Sequence, residues 1–356
     1  MRKAIALIMV FLCLACIAPV NAVGSSEQEV RNAINDVLYY MEPQKADYGL
    51  GSINFDSLMI GSEITVYEYK NNSFVATDYA LYPLLNSSGI AAIAILRQDG
   101  TGVLRAQIDV DLANQINETK QDNERFAIVY DKDSCYYVTQ SGIIKLFSLK
   151  EVVASRSKLN PYLRSMPQQQ DLNLSAAESK LALQYGKSSV QKPRLGGTLL
   201  LSVPKITQSS TSKYCWACSV ASIGNYLTNY NYTGIYVAMN EYGSDYNKGA
   251  SISVALDNLS EIYGITYLST GGFNSGIIYE NLSNGYPLFA ECSVSGGGGH
   301  AVVVCGENPI SGYITIMDPN SSSYVSVYST SANVYSYVST SFGTTVTLTV
   351  LGRKYP

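Results

Sequence analysis

Residues 213–220 read Lys-Tyr-Cys-Trp-Ala-Cys-Ser-Val, and residues 296–304 read Gly-Gly-Gly-Gly-His-Ala-Val-Val-Val. The first stretch opens a helix: Trp216, Val220, Ile223 and Leu227 recur at helical spacing, which sets Cys215 at its start. A thiol at a helix N-terminus faces N–H groups with no partner, and their partial positive charge favours the nucleophilic thiolate. The second stretch opens a strand at His300, the only histidine in the chain, and the glycines before it let another molecule approach the backbone closely. Any imidazole general base is therefore His300. Taken alone, it reads equally well as a hydrogen-bonded histidine at a strand start.

Asp318 follows the strand Tyr313–Met317 and precedes Pro319-Asn320. A turn near Asn308–Gly312 makes this strand the neighbour of the His300 strand, so the Asp318 carboxylate can hold one ring N–H and aim the other nitrogen at Cys215. On its own Asp318 is equally a strand-ending Asp-Pro turn; Asn308 and Asn320 are lesser candidates for the orienting place. Cys215 and Cys218 also spell Cys-x-x-Cys, the spacing of a redox dithiol, but no βαβ pattern surrounds them and a dithiol has no need of the Gly-His strand. A zinc site lacks a second histidine and a second cysteine pair. No metal and no cofactor is expected.

Outward from these motifs, Ile252, Leu256, Leu259 and Ile262 mark a second helix face. Strand-like runs follow at Pro287–Cys292, Ala301–Cys305, Tyr313–Met317, Tyr324–Tyr328 and Thr344–Leu351. Helices first and strands second is an α+β order. This region, residues 198–356, holds only five of the 24 basic and eight of the 28 acidic residues, and Ser, Thr, Asn, Gly and Tyr replace charge as its polar surface.

Upstream, residues 155–197 carry Pro161, Pro167, Gln168-Gln169-Gln170 and Lys192-Pro193-Arg194, the composition of an exposed linker and processing site, with one short helix near Ala176–Gln184. Residues 23–154 read as an antiparallel α+β domain. Its helix runs from Ser25 to Met41 with Val30, Ile34, Val37, Leu38 and Met41 on one face. Its strands are Glu63–Lys70, Gly89–Arg97, Val103–Val110, Phe126–Tyr130, Cys135–Val138 and Ile143–Phe147. Residues 1–22 have the form of a signal peptide: Arg2-Lys3, an apolar run from Ala4 to Ile17, and Val20-Asn21-Ala22 before a mature start at Val23. Lipidation at Cys16 is the weaker alternative, because Cys13 stands where a branched apolar residue is wanted.

A length of 356 residues suits two domains. A net charge of −4 without a basic run gives no nucleic-acid footprint. No later segment is long and apolar enough to anchor the chain, so an exported monomer is expected. Of the five cysteines left after the signal, Cys135, Cys215, Cys218, Cys292 and Cys305, the odd number leaves at least one free. A hairpin centred between Gly298 and Gly299 would set Cys292 opposite Cys305, close enough for a disulfide.

In combination, the Cys-Trp-Ala helix start, the glycine-preceded His strand and the Asp on the next strand resemble the papain-fold cysteine peptidases. Residues 201–208, Asn281–Pro287, Gly299–Val303 and Met317–Pro319 are similar to the bacterial double-glycine-leader-peptidase-like (C39-like) and staphopain branches. The resemblance covers residues 198–356. It implies a papain-like domain of N-terminal helices and a C-terminal antiparallel sheet, with Cys215 as nucleophile, His300 as base and Asp318 orienting it. It also implies that Gln208 joins the Cys215 N–H in the oxyanion hole. Gln208 lies seven residues before Cys215, one more than in papain; Asp318 stands where papain has Asn, and Cys218 where an aromatic residue is frequent.

The resulting expectation is a secreted bacterial cysteine endopeptidase made as a zymogen, acting on protein or peptide, with residues 23–154 as an inhibitory pro-domain. A permanent binding domain is the other reading of that half. For the whole, the alternatives are a Cys-His-Asp acyltransferase of transglutaminase type, a cell-wall amidase, or a catalytically retired surface binding module.

Overall fold

The computed structural model describes residues 25–355 except 72, 100, 121–124, 132–133, 141, 149–171, 176, 186–197, 210, 309–310 and 332. The expected signal peptide and most of the expected linker, with its processing site, lie outside the described residues.

Helix α1 (Glu27–Met41) starts where the sequence offers a reciprocal cap: the Ser26 hydroxyl accepts from Glu29 N, and the Glu29 carboxylate accepts from Ser26 N at 2.7 Å. Strands β1 (Met59–Gly61), β2 (Ile64–Lys70), β3 (Ser73–Asn86), β4 (Gly89–Gln98) and β5 (Leu104–Asp109) follow. Asp109 ends β5 and caps α2 (Val110–Thr119), accepting from Leu112 N at 2.7 Å; the strand expected to reach Val110 stops one residue earlier because this side chain starts the helix. Then come β6 (Phe126–Asp131), β7 (Ser134–Thr139), β8 (Ile143–Ser148) and β9 (Ser179–Ala182).

These nine strands form one sheet in the order β5-β4-β3-β2-β6-β7-β8, with β1 beside β3 and β9 beside β1. It is mixed, not antiparallel as expected: β2 and β6 run parallel, Val66 facing Ile128. A parallel pair needs a long crossover, and β3, β4, β5 and α2 supply it. The short helix expected around Ala176–Gln184 is overturned too. Residues 179–182 form β9, which pairs Leu181 with Ile60 on β1 and leads into the fully buried Leu183. Pairing on an open edge outweighs the helical preference of Lys180, Leu181 and Ala182, and the N-terminal sheet thereby recruits part of the expected linker. Alternation along β4 divides its burial: Ile93 and Ile95 pack with Leu112 and Ile116 of α2, while Ala92, Ala94 and Leu96 share a core with Val30–Met41 of α1.

The second half begins with β10 (Leu199–Leu200) and continues through α3 (Cys215–Thr228), α4 (Gly234–Tyr242), α5 (Ile252–Tyr263), β11 (Tyr267–Thr270) and α6 (Ser275–Ser283). Strands β12 (Leu288–Val294), β13 (Gly299–Asn308), β14 (Tyr313–Met317), β15 (Tyr324–Ser331), β16 (Val334–Ser339) and β17 (Thr344–Lys354) complete it. The strand β16 was absent from the sequence reading. With it, the order β13-β12-β17-β16-β15-β14 returns to β13, and the expected antiparallel sheet is a closed six-stranded barrel. Val302, Val304, Ile314, Ile316, Val325 and Val327 fill its interior, while Val303 and Met317 face outward onto Trp216 and Val220 of α3.

The barrel overturns the Cys292–Cys305 pairing. Cys292 faces His300 across the hairpin, because Gly296, Gly297 and Gly298 take positive φ (93°, 107° and 108°) in the turn and Gly299 already belongs to β13. Cys292 lies in the barrel interior and Cys305 on its outer, α3-facing side; both thiols are free. The two halves of the chain meet on that outer side. Tyr40 OH and Tyr48 OH both hydrogen-bond Thr315 Oγ1, at 2.6 and 2.7 Å, and Tyr313 OH donates to Ala106 O at 3.1 Å. Among the described residues, no helix is long and apolar enough to cross a membrane.

Candidate active site

Cys215 is the first residue of α3 and stands on the wall of a cleft that also exposes Gln208, His300 and Asn320. No side chain caps α3; the Tyr214 carbonyl accepts from Ala217 N at 3.0 Å and Cys218 N at 3.1 Å, and no capping side-chain oxygen takes the Cys215 N–H. The helix is fixed behind them: Trp216 is 2% exposed and its indole N–H donates to Lys248 O at 2.9 Å, while Ala217, Cys218, Val220 and Ala221 are fully buried. Cys215 alone of the described cysteines is half-buried; Cys135, Cys218, Cys292 and Cys305 are buried.

His300 is 3% exposed at the start of β13. Its Nε2 lies 2.8 Å from Asp318 Oδ1, and the ring interacts with the Cys215 sulfur. With Nε2 engaged by Asp318, the contact with sulfur falls to Nδ1. Phe342 packs edge-on against the imidazole, ring centres 4.9 Å apart. Asp318 is equally buried and fully partnered: Oδ1 also accepts from Asn320 N at 2.8 Å, and Oδ2 accepts from Tyr337 OH at 2.6 Å.

These contacts set the charges. Burial works to lower the His300 pKa, but the Asp318 carboxylate and the Cys215 sulfur outweigh it and raise it to about 10. Burial works in the opposite sense on Asp318, and there the imidazole, the Tyr337 hydroxyl and the Asn320 N–H prevail, holding the carboxyl below the usual carboxylate range. Burial pushes the Cys218 thiol up to about 12 and raises the Cys292 thiol well above its ordinary value, so both stay protonated and inert.

The structure therefore brings Cys215, His300 and Asp318 together, with His300 hydrogen-bonded to Asp318 and beside the Cys215 sulfur at the cleft wall. Gln208 joins them at the cleft: its Nε2 donates to Asn320 Oδ1 at 2.8 Å, which leaves the second amide hydrogen for another acceptor. Asn320, weighed as an orienter of the histidine, instead positions Gln208 and donates its N–H to Asp318. Asn308 is remote from this group, its side chain donating to Thr198 Oγ1 at 3.1 Å. Tyr337 and Phe342 were missed; in a chain with 29 tyrosines, Tyr337 carries no distinguishing signal. Among the described residues no group of three or more metal-ligating side chains occurs.

Residues 199–337 match the family described as papain-like cysteine protease AvrRpt2. Among solved structures, a C39-like peptidase from Bacillus anthracis is 14% identical, covering 43% of this chain and 97% of its own, with a TM-score of 0.28. No curated protein matches the chain. The chain thus resembles the papain-like cysteine peptidases in its α+β second half, and the family match supports a cysteine peptidase.

Proposed function

We propose that the protein is an endopeptidase that cleaves peptide bonds through a thioester on Cys215, exported and made as a precursor. The observation that carries the reading is the His300 imidazole held between Asp318 and Cys215 at the edge of an open cleft. As the bond is attacked, the Cys215 sulfur adds to the carbonyl carbon and the imidazolium gives its proton to the leaving amine; water then attacks the thioester with His300 as base. Negative charge on the carbonyl oxygen meets the Cys215 N–H and the free amide hydrogen of Gln208. The cleft, about 1630 Å³, exceeds the several hundred to about 1,000 Å³ of small-molecule sites, which favours an extended chain as substrate. The precursor reading draws on Lys70 and Asn71, at the tip of the β2–β3 hairpin, which stand in the wall of the same cleft.

A peptidyl epoxide inhibitor tests the site directly. It should label Cys215 alone and abolish cleavage of casein. Labelling without any protein cleavage would leave the acyltransferase and amidase chemistries in place of the endopeptidase.

A further inference from the structure

Apart from the histidine, the Asp318 carboxylate has two supports: the N–H of Asn320 in its own loop and the hydroxyl of Tyr337 on β16. Each is fastened from the N-terminal half. Asp111, in the first turn of α2, accepts through Oδ2 from Ser321 Oγ at 3.1 Å and Ser322 N at 2.9 Å, and through Oδ1 from the Ser322 hydroxyl. A carboxylate there also sits well on the α2 dipole. Gln107 on β5 takes Val338, the neighbour of Tyr337, at two points: its Nε2 donates to Val338 O at 2.9 Å and its Oε1 accepts from Val338 N at 3.1 Å. Between them, Asp109 accepts from Thr340 Oγ1 at 2.8 Å with the oxygen not used to cap α2.

A fourth fastening lies beneath the imidazole. Gly343, next to Phe342, has φ +65°, and a Cβ there would stand 2.1 Å from Tyr130 Cδ1, so β6 meets this turn in direct contact. Within the second half, loop 318–323 is tied by Ser321 N to Asp318 O, Ser323 N to Ser321 Oγ, Ser341 Oγ to Asn320 O, Gln208 N to Pro319 O and Gln208 Nε2 to Asn320 Oδ1, none of which reaches Ser322.

We propose that Asp111 and Gln107 are positioning residues for Asp318, and that the N-terminal half is accordingly a permanent part of the catalytic unit, not a segment discarded on activation. The inference rests on the cysteine-peptidase reading and deepens it. A cut between residues 186 and 197 then gives a two-chain enzyme whose chains stay together, because removing the first would release both supports of the carboxylate and expose Tyr313, Thr315 and Tyr324 on the barrel wall.

The test uses the full chain carrying Asp111→Ala or Gln107→Ala. A loosened triad should lower kcat by about 10- to 100-fold, the scale of a small misplacement at a reacting group, with KM within about twofold of wild type. Alkylation of Cys215 by iodoacetamide should slow in parallel, and Asp111→Asn, which keeps one acceptor oxygen, should fall between. Wild-type kcat and wild-type alkylation in both alanine variants would overturn the proposal. If wild type cleaves no peptide, the peptidase reading fails and the alkylation rate still decides the positioning role. If the variants do not fold, wild type nicked within residues 186–197 is passed over a gel-filtration column: fragments that co-elute with full alkylation support the proposal, and fragments that separate with an active second half defeat it.

Discussion

The two halves treat their sheet edges in opposite ways. In the second half β13 bonds to both β12 and β14, so the barrel closes and fills its interior with its own valines and isoleucines. The N-terminal sheet stays open, and its faces are covered by α2 on one side and α1 on the other. The far side of α1 is in turn covered by the barrel, through Tyr40, Tyr48 and Thr315. One half is complete in itself and keeps its chemistry where the His300 and Asp318 ends of its strands meet the start of α3; the other is finished only by its neighbour. Substitutions of the reacting groups in the barrel half should cost rate, substitution of the buried Tyr40–Tyr48–Thr315 contact should cost cohesion, and Asp111 and Gln107 should carry a rate effect across the contact.

The largest effect falls on rate. Cys215→Ala should lower peptide hydrolysis by at least about 1,000-fold, with the melting temperature unchanged; a variant that cleaves casein like wild type would end the mechanism. Asp318→Ala should cost about 100-fold, and Asp318→Asn less, since the amide oxygen still holds Nε2. Without the carboxylate charge, the rise of His300 to about 10 shrinks, and the alkaline limb of the rate profile should move to lower pH.

The same pair sets a window of stability. His300 is raised above its unfolded value of about 6.5, so its contribution is complete below that pH and is lost as pH climbs through about 10. Asp318 is depressed, so its contribution is present above its unfolded value of about 4 and disappears as pH falls through the lower folded one. Thermal melts of wild type against Asp318→Asn across this range should converge at the acid end and again at the alkaline end. A constant difference would mean that the pair is not ionic.

Cohesion is next in size. Thr315→Val removes the oxygen shared by two buried tyrosine hydroxyls and should cost about 1–3 kcal/mol, with both halves melting in one transition. Two separate calorimetric transitions would break the comparison by showing that the N-terminal sheet stands without the barrel. The smallest effect is Cys218→Ala, three residues beyond the nucleophile and buried against Gly234. Its activity should stay within about twofold of wild type, as for substitutions away from the reacting atoms. A loss comparable to that of Cys215→Ala would restore the redox dithiol.

Much of this was legible because local signals were strong. The apolar face of Val30 to Met41 gave α1, the apolar face beyond Cys215 gave α3, and the Asp-Pro step after Met317 put Asp318 at the right strand end. Other features leave no such trace. Four consecutive glycines are locally equivalent, so nothing in the sequence told that the first three turn and the fourth pairs; that slip carried the Cys292–Cys305 error. Strand β3 contains Pro83, which argues against a strand until its neighbours are known: it falls between the stretch paired with β2 and the stretch paired with β1. Strand β16, Val-Tyr-Ser-Tyr-Val-Ser, looks like surface in a serine- and tyrosine-rich region, and only barrel closure buries it. The hold of Asp111 and Gln107 on the Asp318 loop spans more than 200 residues of sequence, a separation at which residue patterns are silent.

The solitary imidazole has a spectroscopic consequence. With one histidine in 356 residues, a nitrogen-15 spectrum of the rings contains a single pair of resonances, and both report from the cleft without assignment. The Nε2 signal reads the bond to Asp318, the Nδ1 signal reads the sulfur, and their splitting follows the proton between them. The protein is labelled at its reacting centre by composition alone.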